Sequence, residues 1–330
     1  MTQRDKIALI MGGGRIIHKS GADSSESIGL PEEEFLAYFQ EKIREKFYVV
    51  GWSYQPVSHY TLRMCADLIR LAGAQIEAGA SGVVITCGAQ AIVEGAYFSD
   101  LIWPYPQPLI ITSSMYNADT PGSETALHIV QSVRAAESQA CWGQGVLVCI
   151  QDQIYAASEI CQLSSYGRFG YSSFSSGPVA AFTGYDDEII YFRQVRRGKI
   201  MDIDTIPARN VEILDVALGS GDVLLNALLD GRVSELDGLV ISAFGDGDVP
   251  PLWGPLLRKI LRAEVPIVLA SRCPVGCVRS GVDFEGSAKR LLDMGLISAG
   301  TLTPLQARIR LAVGLGASLK DQELRAYMLG

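Results

Sequence analysis

The chain has 330 residues, 48% of them hydrophobic, and a formal net charge of −8. That is enough apolar material for two cored domains, and too acidic a balance for nucleic acid or an anionic membrane surface. No stretch approaches the roughly eighteen consecutive apolar residues of a membrane span, and the apolar run after Met1 is too short for a secretory signal, so the cytoplasm is the expected location.

In chain order, apolar runs alternate with amphipathic stretches from the start, the pattern of βαβ units on a parallel sheet. Strands are predicted at Ile7–Met11, Tyr48–Trp52, Gly82–Thr86, Leu109–Thr112 and Gly145–Ile150. Helices are predicted between them over Glu32–Glu45, Tyr60–Ala78 behind a Ser58 cap, Ala89–Leu101 and Ser123–Glu137. Each strand runs into glycine or polar sequence, so the ends Gly12–Arg15, Ser53–Gln55, Cys87–Gln90 and Ser113–Asn117 are expected to converge on one site. Ser164–Gly177 reads as a loop with short antiparallel strands, and Arg193–Arg209 as a linker. From Val211 the alternation restarts: strand Val211–Ala217, helix Asp222–Leu229, strand Gly238–Ala243, helix Pro251–Ala263, strand Ile267–Ser271, helix Gly286–Met294 and a last helix from Thr303. The expected fold is α/β throughout: residues 1–192 form a larger, mostly parallel sheet flanked by helices, 193–210 a linker, and 211–330 a smaller α/β domain.

The seven cysteines, at 65, 87, 141, 149, 161, 273 and 277, are odd in number and lie mostly in apolar runs, as buried reduced thiols would. Cys273 and Cys277 have no second cysteine or histidine pair at metal-site spacing, so no metal is expected.

Several ordered segments resemble the bacterial-type L-asparaginase family. Thr86-Cys87-Gly88-Ala89-Gln90-Ala91 followed by Glu94–Phe98 is similar to its T-H-G-T-D-T…E-x-A-Y-F, and Pro108–Met115 with Asp119–Ser123 to its P-V-V-x-T-G-A-M…D-x-P-G-S. Gly145–Ala157, Asp237–Pro250, Ser271–Pro274 and Gly300–Arg308 continue the match nearly to the end of the chain. The resemblance implies hydrolysis of asparagine through a threonyl ester, without metal or organic cofactor. It also implies active sites at strand ends of the larger domain, shared between copies in a homodimer or homotetramer.

Against the family pattern Arg15, or Gly14 if the alignment slides by one residue, falls at the nucleophilic threonine, Ala89 at the second threonine, Gln90 at the aspartate and Gln162 at the lysine. A guanidinium stays protonated and cannot attack a carbonyl, but it binds carboxylates well. Arg15, on a strand end expected to be buried, should pair with a ligand carboxylate or with an internal acid such as Asp248 or Glu285. His18 and Lys19 lie in an expected lid, Ile16–Leu30, as solvated charges. His59 and His128 fall on predicted helices in structural roles. The reading that follows is a repurposed enzyme acting on a small carboxylate- or amide-bearing metabolite, with Arg15, Tyr54 and Ser114 as catalytic groups. Ser53, Cys87, Gly88, Ala89, Gln90 and Ser113 would bind the ligand, joined by Asp248 and Glu285 at an inter-subunit cleft. A catalytically inactive ligand-binding or assembly protein is the alternative, and a genuine L-asparaginase the third reading.

Overall fold

The computed structural model describes residues 5–21, 27–184 and 188–329. The chain divides into two units, Met1–Asp204 and Thr205–Gly330.

The first unit is built on an eight-stranded sheet. Its strands in chain order are β1 Ile7–Met11, β2 His18–Ser20, β3 Ser27–Gly29, β4 Phe47–Gly51, β5 Gly82–Thr86, β6 Leu109–Thr112, β7 Val146–Ile150, β8 Gln153–Ala156, β9 Cys161–Gln162, β10 Tyr171–Ser172, β11 Ala180–Phe182 and β12 Ile189–Tyr191. The large sheet has the order β12-β11-β8-β7-β6-β5-β1-β4, while β2 pairs with β3, and β9 with β10, as separate two-stranded ribbons. β4, β1, β5, β6 and β7 run parallel, and β8, β11 and β12 extend the sheet antiparallel. Chain order reverses around β1, since β4 lies on one side of it and β5 on the other. In an open α/β sheet such a reversal opens a crevice at the carboxyl ends of the strands.

β1, β5, β6 and β7 are buried along their whole length, which explains why they read as continuous apolar runs instead of alternating ones. Leu9, Val84, Ile110 and Leu147 share one core with Ile129 and Val133 of a covering helix, leaving the alternate residues for the opposite face. The helices are α1 Glu32–Leu36, α2 Glu41–Arg44, α3 Leu62–Glu77, α4 Ile92–Ile102 and α5 Thr125–Glu137. Three differ from expectation. The helix expected over Glu32–Glu45 is broken into α1 and α2, because Gln40 is extended and Phe35 and Phe39 enter the core edge to face, with ring centroids 5.1 Å apart. Ser58 does not cap α3: Pro56 and Tyr60 bracket a short 3₁₀ turn, and Thr61 accepts the Met64 N–H at 3.2 Å. Ala89–Ala91 is likewise a 3₁₀ turn ahead of α4. The expected ribbon in Ser164–Gly177 is partly present, as Tyr171–Ser172 pairing back to Cys161–Gln162.

Residues 193–204 carry no strand or helix but are tied to the first unit. Arg193 pairs with Glu159, Arg197 Nε donates to Asp100 at 3.1 Å, and the Met201 N–H reaches Leu101 O at 2.8 Å.

The second unit has a four-stranded parallel sheet, β13 Val211–Asp215, β14 Gly238–Ala243, β15 Ile267–Ser271 and β16 Ile297–Ser298, in that order. α6 Val223–Leu229, α7 Trp253–Arg262, α8 Ala288–Met294, α9 Pro304–Gly316 and α10 Asp321–Leu329 complete it. Thr303 opens α9 with a full capping box to Gln306. β16 and α10 add to the expected elements; both are short. Among the described residues no helix is long and apolar enough to cross a membrane.

Candidate functional site

Four strand ends meet at the reversal around β1. The Ser53 N–H donates to Met11 O at 3.1 Å and the Cys87 N–H to Thr112 O at 2.8 Å. Between β1 and β5 the Gly12 N–H donates to Thr86 Oγ1 at 3.0 Å, and the Tyr60 hydroxyl, from the segment after β4, donates to Gly12 O at 3.0 Å. Gly14 has φ 89° and ψ 164°, a region open essentially to glycine alone. A methyl group there would lie 2.3 Å from Cys87 O and 2.9 Å from Gly88 Cα. The three glycines therefore serve backbone-to-backbone packing across the crevice, with Arg15 delivered at its rim.

Arg15 is exposed, and its Nη1 donates to Met115 O at 2.8 Å. The expectation of a buried cation paired to an acid is corrected: an exposed guanidinium keeps its hydration and needs no carboxylate partner. Asp248 and Glu285 have their own partners in the second unit. Asp248 Oδ1 accepts the Ala288 N–H at 3.0 Å, and Glu285 takes Arg290 Nη1 at 2.6 Å.

Ser53, Tyr54 and Gln90 reach solvent at this edge. Ser53 Oγ accepts the Gln55 N–H at 3.1 Å. Tyr54 is 46% exposed with its ring laid on Gly29. Gly88 is buried and Ala89 half-buried, the Ala89 carbonyl accepting the Tyr171 hydroxyl at 2.6 Å. Ser113 and Ser114 are different, both being 0% exposed. Ser114 Oγ donates to Tyr116 O at 2.8 Å and accepts the Tyr116 N–H at 3.2 Å, so it shapes the turn after β6. Glu124, also buried, accepts the Met115 N–H at 3.2 Å and braces the same turn. A catalytic part for Ser114 is hard to reconcile with that engagement. Gln162 is exposed on the short ribbon, its amide donating to Ser164 O at 3.0 Å.

Of the expected lid, residues 22–26 lie outside the described residues. The rest is attached to the crevice. β2 pairs with β3, the Ala118 N–H reaches His18 O at 2.8 Å, and the Ser20 N–H reaches Asp119 Oδ2 at 3.0 Å. His18 is not a solvated charge: it is 9% exposed, with Nδ1 2.6 Å from Gly14 O and Nε2 3.2 Å from Tyr54 O. It ties β2 to the ends of β1 and β4, a role that its place in a polar segment did not signal. Lys19 pairs with Glu34 at 2.6 Å.

His128 of α5 is buried behind this edge. Nδ1 donates to Ser113 O at 2.6 Å and Nε2 accepts the Gln151 N–H at 3.2 Å, which fixes a neutral ring. Burial holds its pKa below the usual 6.5. An imidazole that resists protonation when folded makes stability full above pH 6.5 and lost as the pH falls below it, by up to about 1.4 kcal/mol per pH unit. In urea unfolding from pH 7.5 to 5, His128→Gln is expected to flatten that slope; an unchanged slope would remove His128 from the account.

Burial pushes the Cys87 thiol up to about 12 and that of Cys149 to about 12, whereas Cys273 is exposed. Alkylation requires the thiolate. Iodoacetamide at pH 8 with peptide mapping should therefore label the exposed Cys273 and leave Cys87 largely unlabelled; equal rates would show Cys87 to be a reactive group. His59 is exposed on its 3₁₀ turn. Among the described residues no group of three or more His, Cys, Asp or Glu is placed to hold a metal ion.

A doubly wound sheet with polar strand ends gathered at the reversal, followed by a small parallel α/β unit, defines a two-domain α/β protein. Residues 6–196 match the model described as "Asparaginase, N-terminal" and residues 210–328 that of the "Glutaminase/Asparaginase C-terminal domain". The chain belongs to the asparaginase family. It is 26% identical to an L-asparaginase of Bacillus licheniformis over 322 residues, covering 96% of this chain and 97% of that protein. It is 24% identical to a glutamyl-tRNA(Gln) amidotransferase component of Methanosarcina acetivorans over 357 residues, covering 98% of this chain and 77% of that protein. A crystal structure from Campylobacter jejuni, described as a probable cytoplasmic L-asparaginase, superposes with a TM-score of 0.85 at 21% identity over 99% of each chain, a likeness of fold.

This whole-length kinship corrects the functional expectation. A chain turned to a different metabolite, or one that kept only the fold, is not what the relatives support: those named above are L-asparaginases and an amidotransferase component, matched through both domains. The expected loss of catalytic threonines rested on placing a few residues of Gly12–Arg15 and Thr86–Ala91 against a family pattern, and neither the fold nor the kinship shows it.

Proposed function

We propose that this protein is an asparaginase-type amidohydrolase, which adds water across the C–N bond of a small carboxamide and releases ammonia. The observation that carries the reading is the match of both domains to the family, with L-asparaginase kinship along 96% of the chain. In this reading Arg15 binds the substrate's carboxylate through the guanidinium N–H groups not used by Met115, and Ser53 and Gln90 orient the amide. The attacking oxygen comes neither from Arg15, which stays protonated, nor from the raised thiol of Cys87. Exposed or half-exposed hydroxyls at this edge include those of Ser53, Tyr54 and Tyr60, and an acyl transfer would start from one such group or from water.

The proposal extends to a homo-oligomer in which a second copy brings Asp248 or Glu285 to the crevice, tested by light scattering at micromolar concentration; a monomer would remove the shared site. It also extends to a cytoplasmic setting, in keeping with seven unpaired cysteines. The activity is tested by ammonia release from asparagine, glutamine and other small carboxamides. Ser53→Ala, Tyr54→Phe and Tyr60→Phe are measured beside the unaltered protein, and loss of kcat in one of them identifies the hydroxyl that reacts.

A further inference from the structure

Cys273 and Cys277 take no part in the crevice described above and lie in the second unit, in the stretch between β15 and α8. Two observations bring them together. The loop is pinned at both ends to the same turn: the Arg272 N–H donates to Ala243 O at 3.0 Å, and the Arg279 N–H to Asp246 O at 2.9 Å. That turn is tight, with the Gly247 N–H on Phe244 O at 2.7 Å and Phe244 bridged to Asp248. Its anchoring residues are three apart in sequence and so no more than about 10 Å from each other, and each end of the loop is held one hydrogen bond from its anchor.

Cys273 enters the loop one residue past the first anchor, and Cys277 stands two residues before the second. The backbone between them has room to adjust. Residues 272–282 form no helix or strand, and Gly276, at φ 140°, has open space where a side chain would be. Cys273 is exposed and Cys277 half-exposed, in contrast to the buried Cys141 and Cys149. A disulfide needs Cα atoms roughly 4.4–6.8 Å apart, which a short loop with a closed neck and no regular structure can supply.

We infer that Cys273 and Cys277 are a dithiol modification site, which closes the 273–277 loop by a reversible disulfide. The oxidant is a low-molecular-weight disulfide of the glutathione class. The Cys273 thiolate attacks it, forming a mixed disulfide and expelling one thiolate. The Cys277 thiolate then attacks the Cys273 sulfur and expels the second, so two thiols give up two protons and two electrons while one small disulfide becomes two small thiols. Exposed disulfides in small loops belong to the labile, reversible class.

The full-length protein is incubated with oxidised glutathione, quenched by alkylation and mapped by mass spectrometry. The expected result is a 273–277 peptide lighter by two hydrogen atoms and protected from alkylation, restored by excess reduced glutathione. The variant Cys277→Ser, at a half-exposed position, should stop at the glutathione adduct on Cys273. Three results overturn the inference: a wild-type protein that also stops at the adduct, a disulfide linking two chains through Cys273, or no oxidation of either thiol while the protein remains folded by circular dichroism.

Discussion

Gly14→Ala is expected to cost on the order of 3–5 kcal/mol, enough to unfold much of a domain of ordinary stability. The backbone at Gly14, φ 89° and ψ 164°, is a conformation that an alanine adopts only with strain of about 1–3 kcal/mol. The new methyl would then lie 2.3 Å from Cys87 O, and this neighbour is backbone that cannot turn aside. Relief requires β1 and β5 to move apart at the crevice, breaking the Gly12–Thr86 bond with them. Gly51→Ala is the control: Gly51 ends the neighbouring strand without positive φ or any atom within 4 Å of an added carbon. It should change stability by less than about 1 kcal/mol. Urea unfolding of the two variants checks the pair, and similar losses would mean that the close approach at Gly14 is not what fixes the crevice.

The second large effect is expected at Asp100, and it concerns how residues 193–204 are held. Asp100 and Arg197 have side chains only 12% and 13% exposed. The guanidinium donates to Asp100 Oδ1 at 3.1 Å, Asp100 O at 2.8 Å and Trp103 O at 3.0 Å, and the same Oδ1 accepts the Val146 N–H at 3.0 Å. Removing the carboxylate leaves a nearly buried cation without its counter-charge and a strand N–H without an acceptor. Asp100→Ala should cost about 3–5 kcal/mol. Asp100→Asn keeps an acceptor for Val146 and should recover part of the loss. Equal damage from both variants would place the whole effect in the lost charge, since asparagine keeps the volume and the acceptor for Val146.

Much of the sheet was legible because its strands are buried on both faces and end in glycine or polar residues. Ile7–Met11, Gly82–Thr86, Leu109–Thr112, Gly238–Ala243 and Ile267–Ser271 have the bounds expected of them. What was not legible depends on tertiary contacts. The break between α1 and α2 is set by Phe35 and Phe39 seeking the core, and the cap of α3 by the 3₁₀ turn that displaces Ser58. At the crevice, sequence located the strand ends but not the environment of each side chain. Ser113 and Ser114 share composition with an open polar loop, yet both are buried beneath it. Arg15 stands exposed where a buried strand end was expected. His18 lies in a stretch of polar sequence, and only the fold brings the Gly14 and Tyr54 carbonyls to its ring.

The functional expectation failed for a related reason. It weighed a handful of positions, Arg15, Ala89, Gln90 and Gln162, as though each had a single role that its replacement abolishes. In the proposed reading hydrolysis would draw on the whole edge, including backbone donors and hydroxyls such as those of Ser53 and Tyr60, and both domains belong to the asparaginase family.

The measurement that bears most directly on the amidohydrolase reading is ammonia release by the purified full-length protein from asparagine, glutamine and a panel of small carboxamides, with Arg15→Ala prepared in parallel. The account predicts turnover of at least one of these amides, carried by the protein through purification, with KM raised in Arg15→Ala as the carboxylate loses its partner. No release from any of them at high protein concentration, or a rate that Arg15→Ala leaves untouched in both kcat and KM, would contradict it.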